Sequence, residues 1–453
     1  MRYFLFIIFF SYTGINAYSQ NWVSVGNFAN PNVTDIRVLF NDTIEDKLFI
    51  GGSFNHVNYM KAYSIVSYNG TSFDTLSNEN MLGQIVVEIA KFNNIIYIGG
   101  FLDCVPSYQH CGVFYFENNS WIPCGGGING NIQLLYQLDT TLLIGGLLQY
   151  IQNSDTNYAL ISWNGNVCRS GWDNALNDND NSITSAYIWH DTLYIGGNFD
   201  LPHGVEEIAF WDGQKWSNME NGILGNGWVN SIIEYKEDLY VGGYFTKSTG
   251  NVDNCIQRWD GCHWCEVGGG VSGGQILDMA VFNDELYVVG QFSYAGGVPA
   301  KYIAKWDGIN WCGFGDNFDN IIETIEVFHN DLYIGGGFKK INSDSIYLFA
   351  KWIGDNYIDT CGNTASIHEI ENEESTIIVY PNPFSENTTL QFTKPAYNAT
   401  LSIYDILGKE VFRMQNINEK EIKISRDGMC KGMYFFKILE GSGIVGQGKF
   451  IVE

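Results

Sequence analysis

One short pattern, an apolar run ending in a pair of glycines or, in its sixth copy, in Val-Gly, returns seven times along this chain. It stands as KLFIGGSF from Lys47, IYIGGFL from Ile96, LLIGGLL from Leu142, LYIGGNF from Leu193, LYVGGYF from Leu239, LYVVGQF from Leu286 and LYIGGGF from Leu332. The second glycine falls at 52, 100, 146, 197, 243, 290 and 336, so successive spacings are 48, 46, 51, 46, 47 and 46 residues. A near-constant period of this size marks one supersecondary unit repeated, and such a unit buries its apolar faces only against its neighbours. The chain is thereby committed to a stacked or radial architecture.

Four short runs recur within each period. In the sixth copy Ile276 to Phe282 is a first strand, Asn283-Asp284 a turn, Glu285 to Phe292 a second strand, Lys301 to Trp306 a third and Asn310 to Gly313 a fourth. β-Branched and aromatic runs broken by Asn, Asp and Gly carry strand and turn chemistry. The third and fourth runs meet at Tyr68-Asn69-Gly70, Trp163-Asn164-Gly165, Trp211-Asp212-Gly213, Trp259-Asp260-Gly261 and Trp306-Asp307-Gly308. Asn-Gly and Asp-Gly favour two-residue hairpin loops, which would set Trp259 opposite Cys262 and Trp264 opposite Gln257, with the indoles as diagonal neighbours. A second aromatic follows the first by five residues at Phe73, Trp216, Trp264 and Trp311, with Trp121 and Tyr357 in the same role. Repetition in nearly every copy favours packing between adjacent sheets over ligand stacking. The glycine pairs admit close approach of a neighbouring backbone.

Seven four-stranded units predict a seven-bladed β-propeller, whose radial closure leaves few free edges. The strand ending in Gly-Gly, followed by spaced aromatics such as Trp259 and Trp264, resembles the kelch repeat, with a longer and more variable gap before the first aromatic. The resemblance spans roughly Asn21 to Gly362, within a propeller domain placed at 20–362, and implies a fold rather than an activity. Asn21 to Gly26 repeats the fourth strand ahead of the first full unit, so it is a candidate to complete the last blade beside Leu348 to Trp352. Tyr357 to Cys361 is the competing candidate.

After Gly362 the repeat stops, and residues 363–376 are polar, acidic and free of strand pattern, as in a linker. From 377 to 453 seven short strand-like runs predict a small Ig-like β-sandwich. Val379-Tyr380-Pro381-Asn382-Pro383-Phe384, Ile403-Tyr404-Asp405-Ile406-Leu407-Gly408-Lys409, Gly432-Met433-Tyr434-Phe435 and Lys449-Phe450-Ile451-Val452 follow in order to the end of the chain. This series resembles the type A C-terminal sorting domain of the type IX secretion system of Bacteroidetes-type bacteria. The resemblance implies that Pro381, Asn382, Pro383, Tyr404, Asp405, Gly408, Gly432, Tyr434 and Lys449 form the sorting motif and that the secretion machinery is a partner. It further implies outer-membrane export, cleavage of the domain, and release or attachment at the cell surface.

Residues 1–19 carry Arg2, the apolar run Phe4 to Phe10 and the small-x-small end Ala17-Tyr18-Ser19, the pattern of a cleaved secretory signal. The run is too short to span a bilayer, and no other stretch suffices, so the mature form is expected to lack a transmembrane segment. In an oxidising compartment the ten cysteines are candidates for disulfides, Cys104 with Cys111 first among them. Cys262-His263-Trp264-Cys265 is a single CxxC whose cysteines would face opposite sides of a strand, which disfavours zinc. With 24 Lys+Arg against 50 Asp+Glu, the formal net charge of -26 repels phosphate backbones and excludes nucleic acid as a partner.

Motifs associated with chemistry meet the wrong context. Gly125 to Gly130 and Gly268 to Gly273 fit GxGxxG, and Gly270 to Gly274 fits GxSxG, but strands and not helices follow, so these are inter-blade loops. The seven histidines show no metal spacing, and none lies inside a first strand, which disfavours an oxidase-type copper site. Asp178-Asn179-Asp180-Asn181 lacks the glycine and distal Glu of a calcium loop. No cofactor or metal is expected. First strands would line the channel and bring acids to it, Asp35, Glu88, Asp278 and Glu323 being the candidates with Glu234 beside them, for cation holding or acid–base work on a sugar. Their positions are offset between copies, so some must face elsewhere. The expectation is an exported or surface-held binding module for an unidentified glycan or protein, with a secreted carbohydrate-active lyase or oxidase acting at the channel mouth as the alternative.

Overall fold

The computed structural model describes residues 21–354 and 377–453, apart from 29–33, 77–83, 105–108, 111, 125–127, 151–156, 170–175, 177–180, 202–204, 221, 225–226, 248–249, 393–396, 407, 427 and 441–442. The signal and linker expectations, the first GxGxxG, the Asp178 to Asp180 run, the Cys104–Cys111 pairing and Tyr357 to Cys361 lie outside the described residues.

Among the described residues, seven four-stranded antiparallel sheets lie between Trp22 and Trp352. The first six are ordered as the chain runs, as in Gln275–Phe282, Glu285–Gln291, Ile303–Trp306 and Trp311–Gly313. The first strands touch one another in sequence around a complete cycle, with Ile322–Phe328 of the last sheet against Asp35–Asp42 of the first. Only an axis of inner strands gives that cycle, so the chain is a β-propeller. Trp22–Ser24 pairs antiparallel with Phe349–Trp352, Trp22 opposite Trp352, so the N-terminal strand completes the last sheet.

The glycine pairs follow from this packing. A Cβ on the first glycine would strike the next sheet's inner strand: Gly51 would lie 2.7 Å from Val86 Cγ1, Gly99 2.5 Å from Ile132 Cγ2, Gly196 2.4 Å from Val229 Cγ1, and Gly335, closing the ring, 2.5 Å from Ile36 Cγ2. A Cβ on the second glycine would strike its own first strand, at 2.4 Å from the Asp35 carbonyl for Gly52 and 2.1 Å from the Trp228 carbonyl for Gly243. The close approach expected of a neighbouring backbone is therefore met by a neighbouring side chain at one glycine and by backbone at the other.

The aromatic pairs differ from the two-residue-loop expectation. Trp259 pairs directly with Trp264, Trp211 with Trp216, Trp306 with Trp311 and Tyr68 with Phe73, so the loops hold four residues. The Asx side chain causes this: Asp307 Oδ1 accepts the amides of Ile309 and Asn310 at 2.6 Å, and Asn69, Asn164, Asp212 and Asp260 do likewise in their copies. The true two-residue turns join first and second strands, where Asn93-Asn94, His190-Asp191, Lys236-Glu237, Asn283-Asp284 and His329-Asn330 all take positive φ. The second indoles reach back one repeat, Trp121 Nε1 to the Leu76 carbonyl at 2.8 Å, Trp264 to Met219 at 2.9 Å and Trp311 to Val267 at 2.7 Å. They pack sheet on sheet. Small hairpins such as His56–Val57 with Met60–Lys61 and Tyr294–Ala295 with Val298–Pro299 fill the long gap before the first aromatic.

The C-terminal part has a three-stranded sheet of Ile377–Tyr380, Asn387–Phe392 and Glu421–Ser425, and a four-stranded sheet of Ala399–Tyr404, Glu410–Ile417, Gly432–Glu440 and Gly443–Val452. Their inner faces share one core that includes Leu390, Leu401, Ile424, Phe436 and Phe450. No helix of the described residues is long and apolar enough to cross a membrane.

Candidate functional site

Every inner strand carries a β-bulge at one place, just past the residue opposite the second glycine. Ile36, Val86, Ile132, Ile183, Val229, Ile276 and Ile322 stand opposite that glycine, and all are fully buried between sheets. In the first, sixth and seventh sheets the bulge residue and its successor both line the axial cavity, so a strand that would show every second residue to it shows two in a row. Arg37, Asn230, Leu277 and Glu323 occupy the bulge, Val38, Glu88, Asp278 and Thr324 the next position, and together they line a cavity of about 390 Å³ on the axis.

Of the expected channel carboxylates, Glu88, Asp278 and Glu323 line this cavity, and Asp35 sits beside it, bonded to Arg37 at 3.0 Å. Glu88 and Asp278 are register equivalents, opposite Gly99 and Val289. Glu234 is exposed and is not among the lining residues. Sequence reasoning passed over Glu326, which also lines the cavity. It is three residues from Glu323, a spacing that faces opposite ways on a regular strand, and only the bulge brings both to the axis.

Two groupings result. In one, Arg37 lies between Asp35 and Glu323, with its Nε 3.8 Å from the Glu323 carboxylate. Burial and the Asp35 charge nonetheless push Glu323 up to about 7. In the other, Glu88 and Glu326 both lie within range of the Asp278 charge on the cavity wall. Burial, then the charge of Asp278, raises Glu88 well above the usual carboxylate range and Glu326 to about 7. Asp278 itself is raised by burial to about 6, although it accepts from the Met279 amide at 2.8 Å and from the Ile325 amide and Thr324 Oγ1 at 3.0 Å. Those bonds tie the sixth inner strand to the seventh. Burial thus favours the protonated form of these carboxyls, while Asp278 is spent on holding two sheets together.

The mouth where first strands begin is different. The residue after the glycine pair lies there in every sheet, and Phe101, Leu147 and Tyr244 at this position are exposed apolar side chains. Trp228, opposite Tyr244 in register, is also exposed and stacks on it at 4.9 Å, while its Nε1 donates to Gln275 Oε1 at 3.0 Å. In the C-terminal part, Pro381, Asn382 and Pro383 form the turn after Ile377–Tyr380, where Asn382 Oδ1 accepts the Ile451 amide at 2.8 Å. Tyr404 ends a strand, Asp405 Oδ1 accepts the Lys409 amide at 2.9 Å, and Gly408 supplies positive φ in that turn. Gly432 pairs with Val452, Tyr434 with Phe450 and Lys449 with Phe435. The second GxGxxG and the GxSxG run form a loop around Val271–Ser272, which pairs with Tyr294–Ala295.

Among solved structures, PorZ, an essential bacterial surface component of the type-IX secretion system of Porphyromonas gingivalis, is similar at 13% identity and a TM-score of 0.39, over 90% of this chain and 64% of that one. The β-propeller domain of the Trilobed protease from Pyrococcus furiosus is similar at 12% identity and a TM-score of 0.45, over 71% of this chain and 95% of that one. The chain thus spans 64% of the PorZ chain's length. Sheet order and the closed cycle of inner strands, not these distant likenesses, define the ring. None of the curated proteins matches in sequence. Residues 378–453 match the family described as the Secretion system C-terminal sorting domain, so the chain is delivered by the secretion machinery that reads this tail, and is secreted or held at the cell surface.

Proposed function

We propose that this chain is a seven-bladed, kelch-like propeller acting outside the cell as a binding module for a glycan or protein, carried there by its signal sequence and then by type IX secretion through an Ig-like tail. The observation that carries this reading is the set of exposed Phe101, Leu147, Trp228 and Tyr244 at one mouth of the ring. Large apolar groups gathered on one surface mark an interaction site. The enzymatic alternative draws on Glu323 and Glu326, both at about 7 beside the axis and so able to exchange protons near neutrality. The residues Pro381, Asn382, Pro383, Tyr404, Asp405, Gly408, Gly432, Tyr434 and Lys449 are proposed as what the secretion machinery reads.

Arrays of glycans and candidate protein partners, probed with the mature chain, test the reading alongside a polysaccharide turnover assay. Trp228→Ala and Phe101→Ala should each weaken the captured ligand by about tenfold, the scale of a lost aromatic contact. Glu326→Gln should leave binding intact. Turnover that disappears in Glu326→Gln and survives in Trp228→Ala would replace the binding reading with the enzymatic one.

A further inference from the structure

The propeller and its tail are fastened together at one place. The outer hairpin of the fifth sheet, Ile256–Trp259 and Trp264–Cys265, carries Cys265, which is disulfide-bonded to Cys430, 165 positions on in the sequence, with Cα atoms 6.0 Å apart. Charged groups surround the bond in complementary sets. Asp260 Oδ2 accepts from Arg426 at 2.8 Å, Glu266 Oε1 accepts from Lys409 at 2.8 Å, and Lys431 Nζ lies 3.8 Å from Asp238. Arg258, itself paired with Asp238 at 2.9 Å, donates to the Lys431 carbonyl at 3.2 Å. The three acids thus stand on the propeller and the three cations on the tail.

The contact is sealed as well as charged. The Asp260 side chain has no exposure at all. Burial opposes its ionisation, yet the His263 and Cys262 amides and the Arg426 guanidinium hold it below the usual carboxylate range. A buried carboxylate whose cation comes from the other part of the chain is costly to uncover, since separation leaves a charge unpaired. Beside it a crevice of about 630 Å³ is walled by both parts and includes Asp405, Gly432 and Tyr434 of the expected sorting motif.

We propose that the outer hairpin of the fifth sheet is a docking surface for this chain's own tail, and that the Cys265–Cys430 bond makes the tail a held subunit. A backbone cut anywhere within 355–376 then leaves propeller and tail as one covalent particle until that bond is reduced. An external dithiol supplies the two electrons and two protons: one thiolate attacks a sulfur to form a mixed disulfide, the second closes on the first, and Cys265 and Cys430 are left as thiols. Cys262, exposed and free, does not substitute for it. It lies in the four-residue loop between Trp259 and Trp264, whereas Cys265 lies on the strand that follows.

The test places a site-specific protease sequence within 363–376 of the mature chain and examines the cut product. Without reductant it should run in SDS as one species, and with dithiothreitol as two. Mass spectrometry of an unreduced digest should recover the Cys265 peptide joined to the Cys430 peptide. Cys430→Ser should give two species in SDS without reductant, yet co-elute natively at low salt and separate at about 1 M salt, where charges are screened beyond ~3 Å. Two species from the unreduced wild-type product, or Cys265 recovered as a free thiol, would overturn the proposal. Should Cys430→Ser not fold, the peptide map of the wild-type chain decides alone.

Discussion

The first glycine of each pair is fixed by a contact one repeat away. In a strand that already has a β conformation, adding a methyl group at such a site is an overpacking problem and not a problem of backbone freedom. At Gly99 the added Cβ would sit 2.5 Å from Ile132 Cγ2 and 3.1 Å from Ile132 Cβ, both on a fully buried residue of the next sheet's inner strand. Gly99→Ala should therefore destabilise the ring by about 2 kcal/mol, measured by urea unfolding, and Gly99→Ala with Ile132→Ala should cost less than the two single losses added together. Strict additivity of the pair would mean that the glycine is there for some other reason. The glycine pattern was legible as a period from sequence, and with it the ring, because the period is a property of the chain alone. What the glycines touch was not legible, since Ile132 lies 33 residues from Gly99 and only the curvature of the ring joins them. The same holds for Asp307 and its equivalents, whose side chains bond the loop amides and turn an apparent two-residue hairpin into a four-residue one.

An inner strand is a regular alternation with one defect, and the defect sets what the channel contains. Because the bulge recurs in all seven first strands, parity counted from the sequence fails beyond it, so that Glu326 joins Glu323 at the cavity while Glu234 is exposed and does not line it. The carboxylates that the bulge gathers have a consequence for stability. Burial raises Glu323 and Glu326 to about 7 and Asp278 to about 6, above the values these groups take in an unfolded chain. Between about pH 4.5 and 7 the folded state then binds more protons than the unfolded one, so stability from this source is complete below that window and is lost as pH rises through it. The urea midpoint should be lower at about pH 8 than at about pH 5.5, and Glu326→Gln, which needs no proton to stay neutral, should flatten the difference. An unchanged or steeper dependence in that variant would show that the carboxyl is already ionised at neutral pH.

A ring made of repeats has one seam, and here it lies where the two ends of the propeller meet. Without Trp22–Ser24, Phe349–Trp352 would be an open edge, its amides and carbonyls unpaired and the last sheet a strand short. The seam is held by more than the ladder. Trp22 is fully buried, its Nε1 donates to Asp316 Oδ2 at 3.0 Å, and its ring meets Phe314, Phe318 and Trp352 at centroid distances of 6.2, 6.0 and 4.9 Å. Those partners are nearly the whole propeller away in sequence, so the contact closes the longest loop the fold contains and forms only when every sheet is in place. Trp22→Ala should cost about 3–5 kcal/mol, the range for emptying a large aromatic site, whereas Trp22→Phe should retain most of the packing and lose the bond to Asp316. The loss should also be directional. Hydrogen exchange should speed first at 349–352 and then in the sheets on either side of the seam, while amides of Ser182–Trp189, across the ring, keep their protection in the folded state. Uniformly faster exchange in all seven sheets would mean that the ring opens as one unit, and that its seam is no weaker than any other junction.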